Sequence, residues 1–230
     1  MLRFVAYGMP ACGPATPWGG AGRDPQRGVQ RITRPPLDWE RIDQWTAGLV
    51  AGDIAAIASV FARHGAPPPL LVWNPAIDEV GAEPLRALAA YWRGIGGSGA
   101  LPHLRQIDPA GLRPALGYVM LLDAVEDGRD FRYRLYGSIV SGVSGFDMTG
   151  KLLSEHPANA YVTEFGIATY RAALQRREPV YTERSPVGAA QTTLWQRLAL
   201  PLVDDSAAVA RFVIGTVPIA RNGQTLRGPF

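Results

Sequence analysis

The chain reads as an α+β protein: a five-stranded antiparallel sheet with helices on one face, preceded by a helical hairpin and a disordered arm. Three observations predict this. From Phe131 to Tyr136 the residues alternate, with Phe131, Tyr133 and Leu135 on one side and Arg132, Arg134 and Tyr136 on the other. That is the period of a half-buried strand. Amphipathic stripes begin near Pro84 and Asn159, each long enough for a helix that roofs a sheet. Finally, the order after residue 83 is helix, two strands, a short helical connection, a long helix and three strands. Such an order closes as one antiparallel layer, wet on one side and covered by helices on the other.

The elements follow in chain order. Residues 1–36 carry six Gly and six Pro, with five Arg against Asp24 alone. They show no periodicity, so this arm is expected to be disordered. Asp38 can cap a helix whose stripe is Trp39, Ile42, Trp45 and Leu49, and Gly52 breaks it. Asp53 caps a second, with Ile54, Ile57, Ala58 and Phe61 in register, ended by Gly65 and Pro67-Pro68-Pro69. This αα-hairpin and its linker fill 37–82. Too small to bury its stripe alone, it must dock on the rest of the chain or on a second copy.

A helix over Pro84 to Gly94 presents Leu85, Leu88, Ala89 and Trp92 on one face. Strands are predicted at 118–125, 131–137, 179–187, 192–203 and 208–218. The longest late helix, 159–177, turns Tyr161, Phe165, Ala168 and Ala172 inward and stops at Glu178-Pro179, because a residue before proline resists helical geometry. One domain is thus expected over 83–222, followed by a tail at 223–230.

Composition excludes several function classes. A net charge of +3 and a basic set that is all Arg except Lys151, with no cluster interleaved with stacking aromatics, argue against nucleic-acid binding. No apolar run is long enough to span a membrane. The start, MLRFVAYGMPAC, breaks at Gly8 and Pro10 before a signal-peptide core accumulates, so a cytoplasmic protein is expected. The single Cys12 allows neither an internal disulfide nor a cysteine-based zinc site.

The motifs are mostly structural. Gly94 to Gly99 formally matches G-x-G-x-x-G, but a helix precedes it and an extended segment follows, the reverse of a dinucleotide site. Asp147-Met148-Thr149-Gly150 reads as a tight turn that could shape a pocket mouth. His64, His103 and His156 lack metal-ligand spacing, so no metal site is assigned, although His156 lies just before the long helix, beside the expected pocket. There is no nucleophile elbow or carboxylate pair, so no catalytic residue is assigned and an enzyme is not expected. Tyr133, Phe146, Phe165, Tyr170 and Trp195 converge on the inner sheet face. With His156 they form the predicted ligand-binding set, an apolar pocket with a few polar handles. Arg132, Arg134 and Arg197 read as an exposed ladder, with Arg134 or Arg197 able to pair with Asp147.

Taken as an ordered series, several segments resemble a PAS domain, in particular the divergent PAS-like family frequent in alphaproteobacterial proteins. The segments are Tyr91-Trp92-Arg93, Leu101-Pro102, Ile107-Asp108-Pro109, Arg132 to Gly137, Gly145 to Lys151 and Leu198 to Leu202. The resemblance implies a sensory or dimerisation module that binds a small molecule, haem or flavin, or nothing. It implies a protein partner in trans and a homodimer, which the hairpin would assist. No cysteine stands where a flavin-photoadduct sensor needs one. Parallel pairing, or roofing helices split over both faces, would overturn this sensory reading outright. Ala51 to Ile57 with Phe61 is also similar to the first helix of NTF2-like, SnoaL-type cones, which would imply a small enzyme with a catalytic Asp/His pair. A ligand-free adaptor with a filled core is the third possibility.

Overall fold

The computed structural model describes residues 36–97, 99–188 and 192–226. The arm expected over 1–36 therefore lies, save for Pro36, outside the described residues, as does Cys12.

Two helices open the fold, α1 (Trp39–Ala51) and α2 (Ala55–Arg63). The Asp38 carboxylate accepts from the Arg41 N–H at 3.0 Å, as the capping pattern predicts. Asp53 accepts from the Ala55 N–H at 2.8 Å but lies one residue before the α2 N-cap, Ile54, which has no side-chain cap bond. A short strand follows, β1 (Leu70–Trp73), then α3 (Glu83–Gly96), β2 (Val119–Val125), β3 (Asp130–Leu135) and α4 (Ser138–Ser144). The chain continues through α5 (Ala160–Arg176), β4 (Val180–Arg184), β5 (Thr192–Val203) and β6 (Val209–Ala220).

The sheet is antiparallel throughout, in the order β1-β4-β5-β6-β2-β3. It has six strands where five were expected. The extra one, β1, lies in the segment read as a linker and pairs with β4, Trp73 opposite Val180. The arrangement is an α+β fold.

A second expectation fails more instructively. The helices do not share one face. Met120, Leu122, Phe131, Tyr133, Ala199, Phe212 and Ile214 meet α1, α2 and α5 on one side. Val119, Tyr181, Leu198, Leu200, Val213 and Val217 meet Leu85, Leu88 and Trp92 of α3 on the other. The Trp92 indole N–H donates to the Pro201 carbonyl at 3.0 Å, fixing α3 across β5. Neither face is wet, because adjacent residues of β5 and β6 are both apolar. Near-continuous apolar strands mark a sheet covered twice.

The hairpin belongs to the same core. Ile42, Trp45, Leu49, Ile57 and Phe61 are buried with residues of α5 and the sheet, so the boundary expected at 82/83 falls inside one core. The stripe is satisfied within its own chain, and a homodimer cannot use it without undocking it. The tail also folds back: the Leu226 N–H donates to the Pro218 carbonyl at 2.8 Å. Among the described residues no helix is long and apolar enough to cross a membrane.

In β3 the alternation holds at Phe131 and Tyr133 and then inverts. Leu121 pairs with Leu135 and Leu122 with Tyr133, so Arg134 is an extra residue in a bulge. Leu135 is consequently 41% exposed while Tyr136 is only 7% exposed. This shift carries Tyr136 onto the covered face beside Tyr133.

Candidate functional site

Between the sheet and the first turn of α5 lies an open cleft of roughly 410 Å³. Sheet register builds its floor. Arg184 of β4 stands opposite Trp195 of β5, and Thr182 stands opposite Arg197. Residues two apart share a face, so Arg184, Trp195 and Arg197 form one contiguous patch on the side that α5 covers. Long side chains at such cross-strand and diagonal positions reach each other.

An aromatic series makes one wall. Tyr133 meets Tyr136 edge to face with centroids 5.2 Å apart, Tyr136 lies 6.1 Å from Phe146, and Phe146 meets His156 edge to face at 4.9 Å. The Asp147 turn sets Phe146 in place. Asp147 accepts from the Thr149 N–H at 2.8 Å, which holds its carboxyl below the usual range, and Gly150 takes a positive φ of 83°. The segment then hooks onto β3 through Gly150 N–H to the Tyr133 carbonyl at 2.8 Å and Tyr133 N–H to the Lys151 carbonyl at 3.0 Å. The same bonds cover part of the β3 edge. Val140 and Ser144 of α4, with Ala158, Asn159, Val162 and Thr163 around the start of α5, close the other sides.

Of the six predicted ligand-binding residues, Tyr133, Phe146, His156 and Trp195 line the cleft. Phe165 and Tyr170 do not. They border a separate void of about 10 Å³ behind Arg197. Phe165 packs edge to face on Phe61 at 5.4 Å, and Tyr170 packs on Phe131 at 5.5 Å. The helical stripe rightly turned them inward but did not distinguish core from cleft. His156 accepts through Nδ1 from the Ala158 N–H at 3.2 Å. Among the described residues no group of His, Cys, Asp and Glu is arranged to hold a metal ion. The G-x-G-x-x-G match coincides with the end of α3, and its residue 98 lies outside the described residues.

The residues missed from sequence are Tyr136 and the two arginines. Arg197 is not part of an exposed ladder and does not reach Asp147. It donates through Nε to the Thr216 hydroxyl and through Nη1 to the Tyr170 hydroxyl, both at 3.1 Å. Arg134 pairs instead with Asp123, which also takes Arg211. Burial works against the Asp123 charge, but Arg211 and Arg134 outweigh it and hold that carboxyl below its ordinary value.

No such carboxylate serves the cleft. No Asp or Glu is among its lining residues, and among the described residues neither Arg184 nor Arg197 has an ion-pair partner. The Arg184 side chain makes no hydrogen bond there either. Burial and the charge of Arg197 pull the Arg184 pKa down to about 10, so it stays protonated at neutral pH. Burial opposes the Arg197 charge as well, but the phenols of Tyr170, Tyr133 and Tyr136 more than offset it and its pKa lies above the ordinary value. Burial raises all three phenols, which therefore remain neutral donors and acceptors. Chemically, the cleft offers aromatic faces, hydroxyls and two uncompensated positive charges.

A family model described as PAS domain matches residues 80–216, well over half of the chain and inclusive of α3 through β6 up to Thr216. No curated protein and no solved structure matches.

Proposed function

Since the chain belongs to the PAS domain family, whose role at the coarse level is sensory or signalling, we propose that it holds a small molecule in the cleft beneath α5 and reports occupancy to a protein partner in trans. The cleft itself carries this reading. The neighbouring aromatic side chains are packed edge to face, yet about 410 Å³ stays open against Tyr133, Phe146, His156 and Trp195. That volume suits a small organic ligand. A structural adaptor has no use for an open cleft of this size lined by aromatic faces and hydroxyls. The cone-shaped enzyme requires a carboxylate beside a histidine, and the lining supplies His156 without one.

Occupancy has a route outward. Asn159, Tyr161, Val162 and Thr163 border the cleft, and the next residue, Glu164, holds Arg41 of α1. A ligand that moves the start of α5 therefore acts on the hairpin one residue further on. A second copy acting as the partner has to use another surface, since the hairpin stripe is buried.

Native mass spectrometry of freshly purified full-length protein, with a protein-observed NMR screen of neutral and charged fragments, tests the reading. A co-purified mass, or fragments that shift the Trp195 indole and Tyr133 signals, is the expected result. No co-purified mass together with no fragment that perturbs cleft residues would refute it.

A further inference from the structure

The cleft has a charge that its apolar walls do not require. Two strand residues on a helix-covered sheet face are arginines, and among the described residues no carboxylate balances them. Charged groups on such a face are costly unless something opposite in sign accompanies them. The protein meets this demand elsewhere: Asp123 takes Arg134 and Arg211, and Glu164 takes Arg41. At the cleft it does not.

A third electropositive element is independent of the arginines. α5 runs for 17 residues, Asn159 makes no side-chain cap bond, and the first turn has no acidic residue. Its N-terminal residues border the same cleft. The backbone dipole favours negative charge at that end, although the Val162 and Thr163 N–H groups already donate to the Asn159 carbonyl. The guanidinium fork of Arg matches an oxyanion group in two parallel bonds. Arg197 is held by the hydroxyls of Thr216 and Tyr170, which hydrogen-bond it without cancelling its charge. Arg184 stands directly opposite Trp195 in the register.

We propose that the ligand of this cleft is a small organic anion with a flat apolar body, its carboxylate or phosphate head between Arg184, Arg197 and the start of α5, and its body against Tyr133, Phe146 and Trp195. The proposal rests on the reading of the cleft as a ligand site. Tyr170 and Thr216 are positioning residues for Arg197. The negative head replaces the missing counter-charge, so affinity tracks head-group charge more steeply than body size.

Isothermal titration calorimetry on the full chain tests it with 4-methylbenzoate and phenyl phosphate as anions. The comparison ligands are 4-methylbenzamide, matched in shape but neutral, and acetate, a head without a body. We expect at least one aromatic anion to bind ten times or more tighter than the amide and than acetate. Arg184→Gln should abolish that discrimination by bringing the anion down to about the affinity of the amide. Because the Arg184 side chain makes no hydrogen bond among the described residues and its backbone pairing with Trp195 does not depend on the side chain, this variant leaves the scaffold intact. Arg197→Met should give the same loss, with folding checked by circular dichroism. Equal binding of amide and anion, or an anion preference that survives Arg184→Gln and Arg197→Met, would overturn the proposal while leaving a ligand site. A Soret or flavin band in the purified protein would do the same, assigning the cleft to a large cofactor. No binding by any of the four compounds also overturns it, and the cleft reading then stands or falls on the fragment screen alone.

Discussion

Replacing Arg41 by Ala is expected to cost about 3–5 kcal/mol, the range for stripping a buried charge of its partner. Glu164 is fully buried on α5. Its carboxylate accepts from Arg41 Nε at 2.8 Å, from Arg41 Nη2 at 2.6 Å and from the Asp38 backbone N–H at 2.9 Å. Without Arg41 only that N–H remains against a full negative charge. The reverse change is milder. Glu164→Gln keeps an acceptor for Asp38, and the Arg41 side chain, 32% exposed, can turn to water and to Asp38. About 1–2 kcal/mol is expected for it, the scale of a lost charge-assisted hydrogen bond. Urea denaturation of both variants checks the asymmetry. Equal losses, or less than about 1 kcal/mol for Arg41→Ala, would mean that the pair is not the anchor between hairpin and α5.

Gly137→Ala is the second large effect. Gly137 lies between β3 and α4, and a Cβ there would overlap the Gly117 carbonyl oxygen and come within 2.9 Å of the Val119 oxygen. Both are backbone atoms that cannot rotate away. The close approach exists because the Gly117 carbonyl accepts from the Ile139 N–H at 2.9 Å, seating α4 on the start of β2. A loss of about 2–4 kcal/mol is expected, typical of overpacking without room to relax. Because α4 supplies Val140 and Ser144 to the cleft, ligand binding should weaken as well. Gly94→Ala is the control, since that helical position has nothing within 4 Å. It should be neutral or slightly stabilising by helix propensity. Comparable denaturation midpoints for the two variants would contradict the packing argument.

The long periodic elements were legible. β5 was expected at 192–203 and spans Thr192–Val203, and α5 departs from expectation by one residue at each end. The cap at Asp38 was legible because a side-chain oxygen beside a helical stripe has a local cause, whereas the second helix starts one residue later than expected, with Ile54 rather than Asp53 at its N-cap. The strand Leu70–Trp73 was not. Four apolar residues after a proline run have no period to measure, and their partner, Val180 to Glu183, is more than a hundred positions away.

Helix stripes show that a face must be buried but not against which side of a sheet. The clue to two covered faces was nevertheless present. Leu198, Ala199, Leu200 and Leu202 are too continuously apolar for a strand with a wet side. The split of helices over both faces removes the layer argument for a sensory role, and the family match over residues 80–216 carries it instead.

At the site, aromatic residues were found and charged ones were not. Tyr133 and Trp195 follow from alternation and burial preference together. Arg197 shares the face of Trp195 by the same alternation, yet the general preference of arginine for water placed it outside. Tyr136 was assigned to the wrong face because a bulge at Arg134 leaves no mark in an alternating string.

The most direct measurement is a crystal structure of the full chain grown with the aromatic anion that binds best. It should show the head group bridging the Arg184 and Arg197 guanidinia near Asn159, with the ring lying against Trp195 and Tyr133. A cleft closed by Trp195 and Phe146, with Arg197 bonded to Tyr170 and Thr216 alone and the compound bound elsewhere, would contradict the account.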